Sequence, residues 1–299
     1  MCAVNATPEP AMGAVRIKDH DNCHTDSELP CLPSKNLSVI LGTIIVHSES
    51  PLVRSIFFRY QEKEMVELPI AGTGETYKVN PSKIIALGLN YDEHVKESVF
   101  LKSRNFKPER PSEPVLFPKT PNVLIGPEDS IVLPAYLKDC GFEDLRNDYE
   151  AELAIVIKDR CKNVPAAEAY DHVYGYTCMN DVSQRNFQTT DKSGWFRGKS
   201  LDTFGPIGPQ ILRQEDIGDP HSLKISCRLN GETVQSASTG DMIFKIPEII
   251  AYVSRHFTLE AGDLIATGTP SGVGRIHGGD IVEIEIEKIG VLRNPVVQE

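Results

Sequence analysis

Residues 148–157 read Asp148-Tyr149-Glu150-Ala151-Glu152-Leu153-Ala154-Ile155-Val156-Ile157, a run of β-formers with two carboxylates set inside it. Side chains alternate along a strand, so Glu150 and Glu152 share one face, roughly 7 Å apart at the backbone. Ala151, Leu153, Ile155 and Ile157 take the other face, which reads as core. Two neighbouring carboxylates repel unless a positive charge lies between them, so the fold must bring one there. A third acid, Asp181, follows a second apolar strand predicted over 173–179. No Cys or His belongs to these motifs, and three carboxylates suit a hard divalent cation, Mg²⁺ or Mn²⁺, better than Zn²⁺. Two plainer arrangements compete: a solvated strand face and a buried ion-pair network. The metal reading gains from Asp181, which stands just past a strand end, where loops carry function.

Strands and turns dominate the remaining pattern. Residues 37–45 and 52–60 read as strands and, with 65–69, form an expected N-terminal β-unit closed by Asn80-Pro81-Ser82. A short buried strand over 84–89 leads into a helix over 91–98. The polar, Pro-bearing segment 99–114 is long for a loop in a compact domain and reads as part of a mobile lid. Asn230-Gly231 between strands 223–229 and 233–235 is a hairpin signal. Residues 246–255 carry the clearest helical period, with Pro247 in the first turn. Glu283 and Glu285 repeat the Glu-x-Glu spacing on a strand over 281–286 without any supporting motif, and read as solvent face. The expected class is α+β, β-rich, with domains at 37–80 and 81–299.

Composition narrows the functions. A net charge of −11 speaks against nucleic acid as a partner, and no apolar run is long enough to span a bilayer. The seven cysteines contain no C-x-x-C and give neither a disulfide framework nor a zinc site, which suits a reducing compartment. Residues 1–36 mix Pro, acids, Ser and Cys without period and read as a disordered tail. They lack the apolar centre of a secretory signal and the Arg-rich, acid-poor character of a transit peptide. The expected location is the cytosol, with a mitochondrial address kept open.

Several polar residues have a spacing that suits chemistry. His94 and Glu97 stand at i and i+3 on the predicted helix, where a carboxylate raises the basicity of the imidazole and fixes its tautomer. Arg185 and Gln188 repeat that spacing and can grip a carboxylate or oxo group. Lys199 follows Gly198, which allows a close backbone approach. Thr269 sits in the Gly-rich turn Thr267-Gly268-Thr269-Pro270-Ser271-Gly272-Val273-Gly274, whose N–H groups can cradle a carboxylate. Its Gly spacing matches neither a Walker loop nor a dinucleotide fingerprint.

From about residue 84 to the C-terminus the chain resembles the fumarylacetoacetate hydrolase superfamily. The resemblance rests on a series of blocks in order: Gly88-Leu89-Asn90-Tyr91-Asp92-Glu93-His94-Val95-Lys96-Glu97, Phe117-Pro118-Lys119, Tyr149-Glu150-Ala151-Glu152-Leu153, Asn180-Asp181-Val182-Ser183-Gln184-Arg185, Gly198-Lys199-Ser200-Leu201-Asp202, and the 267–274 turn. It is nearest the branch of acylpyruvases, oxaloacetate decarboxylases and oxaloacetate tautomerases. One departure is Asn186, where the family often has Asp.

The resemblance implies a mixed β-sandwich roll of the fumarylacetoacetase C-terminal-like type, beside a small N-terminal β-unit, and a homodimer. It implies a small anionic 2-oxo acid as substrate and Mg²⁺ or Mn²⁺ on Glu150, Glu152 and Asp181 as a Lewis acid stabilising an enolate at C3. Lys199 would face the developing enolate, with His94 and Glu97 as the acid–base pair. Lys119, Arg185, Gln188 and Thr269 would bind substrate. The favoured reaction is C–C hydrolysis of an acylpyruvate-like 2,4-dioxo acid. Tautomerisation or decarboxylation of oxaloacetate uses the same residues, and a catalytically silent scaffold is the distant third reading.

Overall fold

The computed structural model describes residues 37–40, 43–46, 65–97, 109–192 and 194–299. Two compact units divide the chain, the second running from Glu64 to Glu299. In the first, Leu37–Ile40 and Thr43–Val46 pair as an antiparallel hairpin, so the single strand expected over 37–45 is two. The expected tail at 1–36 and strand at 52–60 lie outside the described residues.

The second unit is built on a seven-stranded mixed sheet. Its strand order is Val115–Lys119, Ile84–Gly88, Leu264–Ala266, Ala151–Ile157, Val173–Asn180, Gly205–Arg213 and Leu124–Ile125. Most neighbours are antiparallel, but Leu264–Ala266 runs parallel to Ile84–Gly88, and Gly205–Arg213 parallel to Leu124–Ile125. A five-stranded sheet, ordered Glu232–Ser238, Lys224–Leu229, Ile281–Ile286, Gly290–Gln298 and Ile131–Leu133, covers one face. Helices are few, as in a β-rich α+β roll. Among the described residues no helix is long and apolar enough to cross a membrane.

The central strand Ala151–Ile157 is buried on both faces, where the sequence suggested one. Leu153, Ile155 and Ile157 pack with Ile225, Ile284, Ile286 and Leu292 of the second sheet. Ala154 and Val156 pack into a second cluster with Ile84, Ala86, Leu264 and Met179. Each fully buried aliphatic side chain of this size stabilises by about 1.5–3 kcal/mol relative to exposure. Leu68, in the Glu67–Pro69 strand, joins that second cluster, so a segment grouped by sequence with the N-terminal β-unit packs on the large sheet instead.

The predicted hairpin is present, with Leu229 paired to Glu232 and positive φ at Asn230 (53°) and Gly231 (84°). That pair of left-handed residues matches the right-handed twist of the strands they join. The helix Ile246–His256 buries Ile246, Ile249, Ile250 and Val253, and its Glu248 carboxylate caps the Lys245 N–H at 2.7 Å. Glu283 and Glu285 pair with Arg228 across the sheet, the partly exposed face expected of them.

Candidate active site

The strand expected over 148–157 breaks at Glu150. Asn147–Tyr149 leaves the large sheet to pair with Ser183–Gln184 and Gly274–Arg275, while Ala151–Ile157 continues in it. Glu150 at the break and Glu152 one pleat on still converge, because Asp181 lies beside them at the end of Val173–Asn180. The Asp181 N–H donates to the Glu150 carbonyl at 2.9 Å. All three carboxylates are buried, with one oxygen from each within 4.8 Å of the others.

Two lysines and an arginine meet this charge. Lys199, at the end of the short helix Phe196–Lys199, donates to Glu150 Oε2 and Asp181 Oδ2, both at 2.5 Å. Lys119 donates to Asp181 Oδ1 at 2.7 Å, to the Lys199 carbonyl at 2.5 Å and to the Val182 carbonyl at 3.4 Å. Arg185 donates to Glu150, to Asp148 at 2.8 Å and to Gln188 at 2.7 Å. Burial works against charge on Glu150, but Arg185, Lys199 and His94 outweigh it and hold the carboxyl below its usual range. Glu152 goes the other way: burial, then Asp181 and Glu150, push it well above its usual range, against Lys199 and the Gly268 N–H at 2.9 Å.

That contrast is the test of a metal. An all-oxygen set of three buried carboxylates, one of them disfavoured as an anion by burial and by the other two, fits a hard divalent cation. Glu150, Glu152 and Asp181 would hold it.

A cavity of about 100 Å³ opens on the cluster, lined by Glu150, Glu152, Arg185, Gln188, Lys199, Thr269, His94 and Glu97. Helix Asp92–Glu97 brings the last two to its wall, with His94 Nδ1 at 3.2 Å from Glu97 Oε1. Glu97 Oε1 also accepts from the N–H groups of Gly272 (2.9 Å) and Val273 (3.4 Å). Burial disfavours the Glu97 anion, but His94 and these two amides outweigh it and lower the carboxyl. The Gly-rich turn therefore cradles carboxylates as expected, but they are the protein's own, Glu97 and Glu152.

Lys119 is not among the residues lining the cavity: its side chain is 0% exposed and its ammonium donates to Asp181, so in this structure it braces that carboxylate. The segment 99–114 lies largely outside the described residues, which omit 98–108; at its near end Arg110 pairs with Asp92 at 2.9 and 2.6 Å.

Several contributors escaped the sequence reading. Asp148 links Arg146 and Arg185. Gln235 reaches in from the second sheet, accepting from the Ala151 N–H at 3.0 Å and donating to Thr269 Oγ1 at 2.9 Å. Asn90 ties the helix entry to the Thr267 carbonyl at 2.8 Å. Asp148 was visible next to Glu150; Gln235 had no local signal, because its partners are 34 and 84 residues away.

The comparisons with known proteins agree with this geometry. The oxaloacetate tautomerase Fahd2a, mitochondrial, of Rattus norvegicus is 42% identical over 224 residues, 73% of this chain and 67% of that protein. The 5-carboxymethyl-2-hydroxymuconate delta-isomerase of Mycobacterium smegmatis superposes with a TM-score of 0.64 at 38% identity, over 76% of this chain and 86% of the other. The fumarylpyruvate hydrolase of Pseudomonas aeruginosa, solved with Mn²⁺ and pyruvate, gives a TM-score of 0.68 at 28% identity, over 80% of this chain and 99% of that one. The fumarylacetoacetate (FAA) hydrolase C-terminal family model matches residues 83–297, the stretch that carries every residue of the carboxylate cluster and its cavity. By that match, and by the fold beneath it, this chain belongs to the fumarylacetoacetate hydrolase family.

Proposed function

We propose that this protein is a divalent-metal-dependent enzyme that moves the C3 proton of a small 2-oxo acid, with keto–enol conversion of an oxaloacetate-like acid as the reaction its site suits best. The observation that carries the reading is the presence, around one cavity of about 100 Å³, of the His94–Glu97 pair and the Lys199 ammonium beside three buried carboxylates. The 42% identity to a protein named as an oxaloacetate tautomerase supports it over the acylpyruvate hydrolysis favoured by sequence.

A divalent cation on Glu150, Glu152 and Asp181, when bound, supplies a Lewis acid for the substrate's carboxylate and 2-oxo oxygens. The chain's own residues do the rest. Two of Lys199's three N–H groups are taken by Glu150 and Asp181, which leaves the third to donate to the oxyanion that develops as C3 loses its proton. Asp181 and Glu150 overcome the effect of burial and keep Lys199 protonated for that task. His94 presents Nδ1 to Glu97, so Nε2 takes the C3 proton and returns it to the product. Gly272 and Val273 fix Glu97, and hence the imidazole. Phe117, Leu87, Leu89 and Trp195 form apolar wall that limits water at the developing charge.

Hydrolysis is the second reading, favoured by the pyruvate and Mn²⁺ in the fumarylpyruvate hydrolase. In it, His94 would deprotonate a water. Incubation of Mn²⁺-loaded protein with oxaloacetate and with an acylpyruvate in deuterated buffer separates the two. The first reading expects accelerated C3 deuterium uptake by oxaloacetate with no loss of carbon; the second expects pyruvate release from the acylpyruvate. Either activity should fall about 10²–10⁴-fold in His94→Ala. Wild-type protein that accelerates neither, or a fully active His94→Ala, would overturn the proposal.

A further inference from the structure

Beside Lys199, which keeps one N–H for the reacting end, one other cation around the cavity keeps donors to spare among the described residues. Lys119 has three acceptors and no exposure, and Arg185 is tied at Nε and both Nη atoms. Arg146 also lines the cavity. Its Nε donates to both oxygens of Asp148, at 2.9 and 3.0 Å, and among the described residues its four Nη–H donors meet no other side chain. The side chain as a whole is 28% exposed.

The backbone beneath Arg146 is held from both sides. Its N–H donates to Asn186 Oδ1 at 2.9 Å, and its carbonyl accepts from the Arg185 N–H at 2.8 Å. Asn186 Nδ2 also donates to the Asp144 carbonyl at 2.9 Å, a bond that an Asp at 186 could not give. The departure from the family pattern noted at Asn186 thus serves to pin the segment that presents Arg146. Asp148, buried completely and shared with Arg185, then aims the side chain. A planar fork with its orientation fixed by a carboxylate and its outer donors unsatisfied is suited to bidentate capture of a second carboxylate.

Position gives this capture its meaning. Glu150 contacts Arg185, Arg185 contacts Asp148, and Asp148 contacts Arg146, so Arg146 lies three ion-pair links out from the metal-ligating cluster. A molecule whose 2-oxo acid end sits at that cluster meets Arg146 only with a group beyond C3. We infer that Arg146 is a specificity-determining residue that binds a distal carboxylate, which makes the substrate a 2-oxo dicarboxylate and not an acylpyruvate with a single carboxylate. The inference rests on the proposed binding of a 2-oxo acid at the Glu150–Glu152–Asp181 cluster.

Calorimetry of Mn²⁺-loaded protein with two probes tests it without turnover: pyruvate, and 3,3-difluorooxaloacetate, which has no C3 proton to lose. Wild-type protein should bind the dicarboxylate more tightly. Arg146→Gln should lose about 10–100-fold in affinity for it and little for pyruvate, since Asp148 keeps Arg185 as partner. Arg146→Lys, with the charge but not the fork, should fall between. Matching melting temperatures and pyruvate affinities show that the variants are folded. Equal weakening of both probes in Arg146→Gln, unchanged dicarboxylate affinity, or a wild type that prefers pyruvate would overturn the role of Arg146 alone. A wild type that binds neither probe would overturn the proposed function with it.

Discussion

At the scale of single residues, the site is a balance between carboxylates that burial disfavours and cations placed to hold them. Asp181 is shared by Lys119 and Lys199 and is the carboxylate whose backbone touches Glu150. Asp181→Asn should weaken Mn²⁺ binding by at least about 100-fold, beyond the loss typical of a residue that only supports a metal ligand; titration calorimetry reads it. Lys119 acts through Asp181 and touches no cavity surface. Lys119→Met leaves a buried carboxylate short of a partner and should cost about 3–5 kcal/mol of stability, measured by urea denaturation at neutral pH. A cost below 1 kcal/mol would show that Lys199 alone satisfies Asp181.

Elements position these residues through a few close contacts. The helix Phe196–Lys199 lies so near the helix Arg185–Thr190 that a Cβ at Gly198 would fall 2.7 Å from the Gln184 carbonyl oxygen and 2.8 Å from the Gln188 nitrogen. Both are backbone atoms and cannot swing aside. Gly198→Ala should therefore destabilise by about 1–3 kcal/mol and shift Lys199, so that catalysis falls more than thermal stability suggests. At the start of the Leu264–Ala266 strand, Asp263 joins two elements: its oxygens accept from Ser82 N (3.0 Å), Ser82 Oγ (2.7 Å), Lys83 N (3.1 Å) and Glu260 N (2.8 Å). Burial opposes its charge, but the Lys83 ammonium, the Glu260 amide and Ser82 outweigh it and lower its carboxyl. A lowered carboxyl stabilises the fold above its unfolded value, near pH 4, and ceases to do so as pH falls through the lower folded value. Asp263→Asn should cost roughly 1.5–3 kcal/mol at pH 7, and the gap from wild type should close as the pH is taken below that folded value. Denaturant titrations across the acid range check the sign; a gap that widens on acidification would contradict it.

For the whole molecule, the family resemblance leads to a homodimer as the expected assembly. Light scattering at micromolar concentration should give about twice the 33.1 kDa chain mass, and a monomer mass would refute it. The cavity joins parts of the chain that are far apart in sequence, with Glu97 bound to Gly272 and Gln235 bound to Thr269 and Ala151. The two-sheet architecture is what makes those meetings, since Gln235 comes from one sheet and Ala151 from the other.

The sequence by itself determined the periodic and local features: the buried central strand, the Asn230-Gly231 hairpin and the Ile246–His256 helix. Alternation, turn chemistry and helical spacing act over a few residues, so they are written locally. Only the tertiary structure decided that the Glu-bearing strand breaks at Glu150, that Ala151–Ile157 is covered on both faces, and that Glu67–Pro69 belongs to the large unit. It also turned Lys119 away from the cavity and brought Arg146 to it. A lysine in a motif and an arginine outside one look alike in sequence. Which of them keeps unsatisfied donors depends on the acceptors that distant segments bring, and folding alone supplies those.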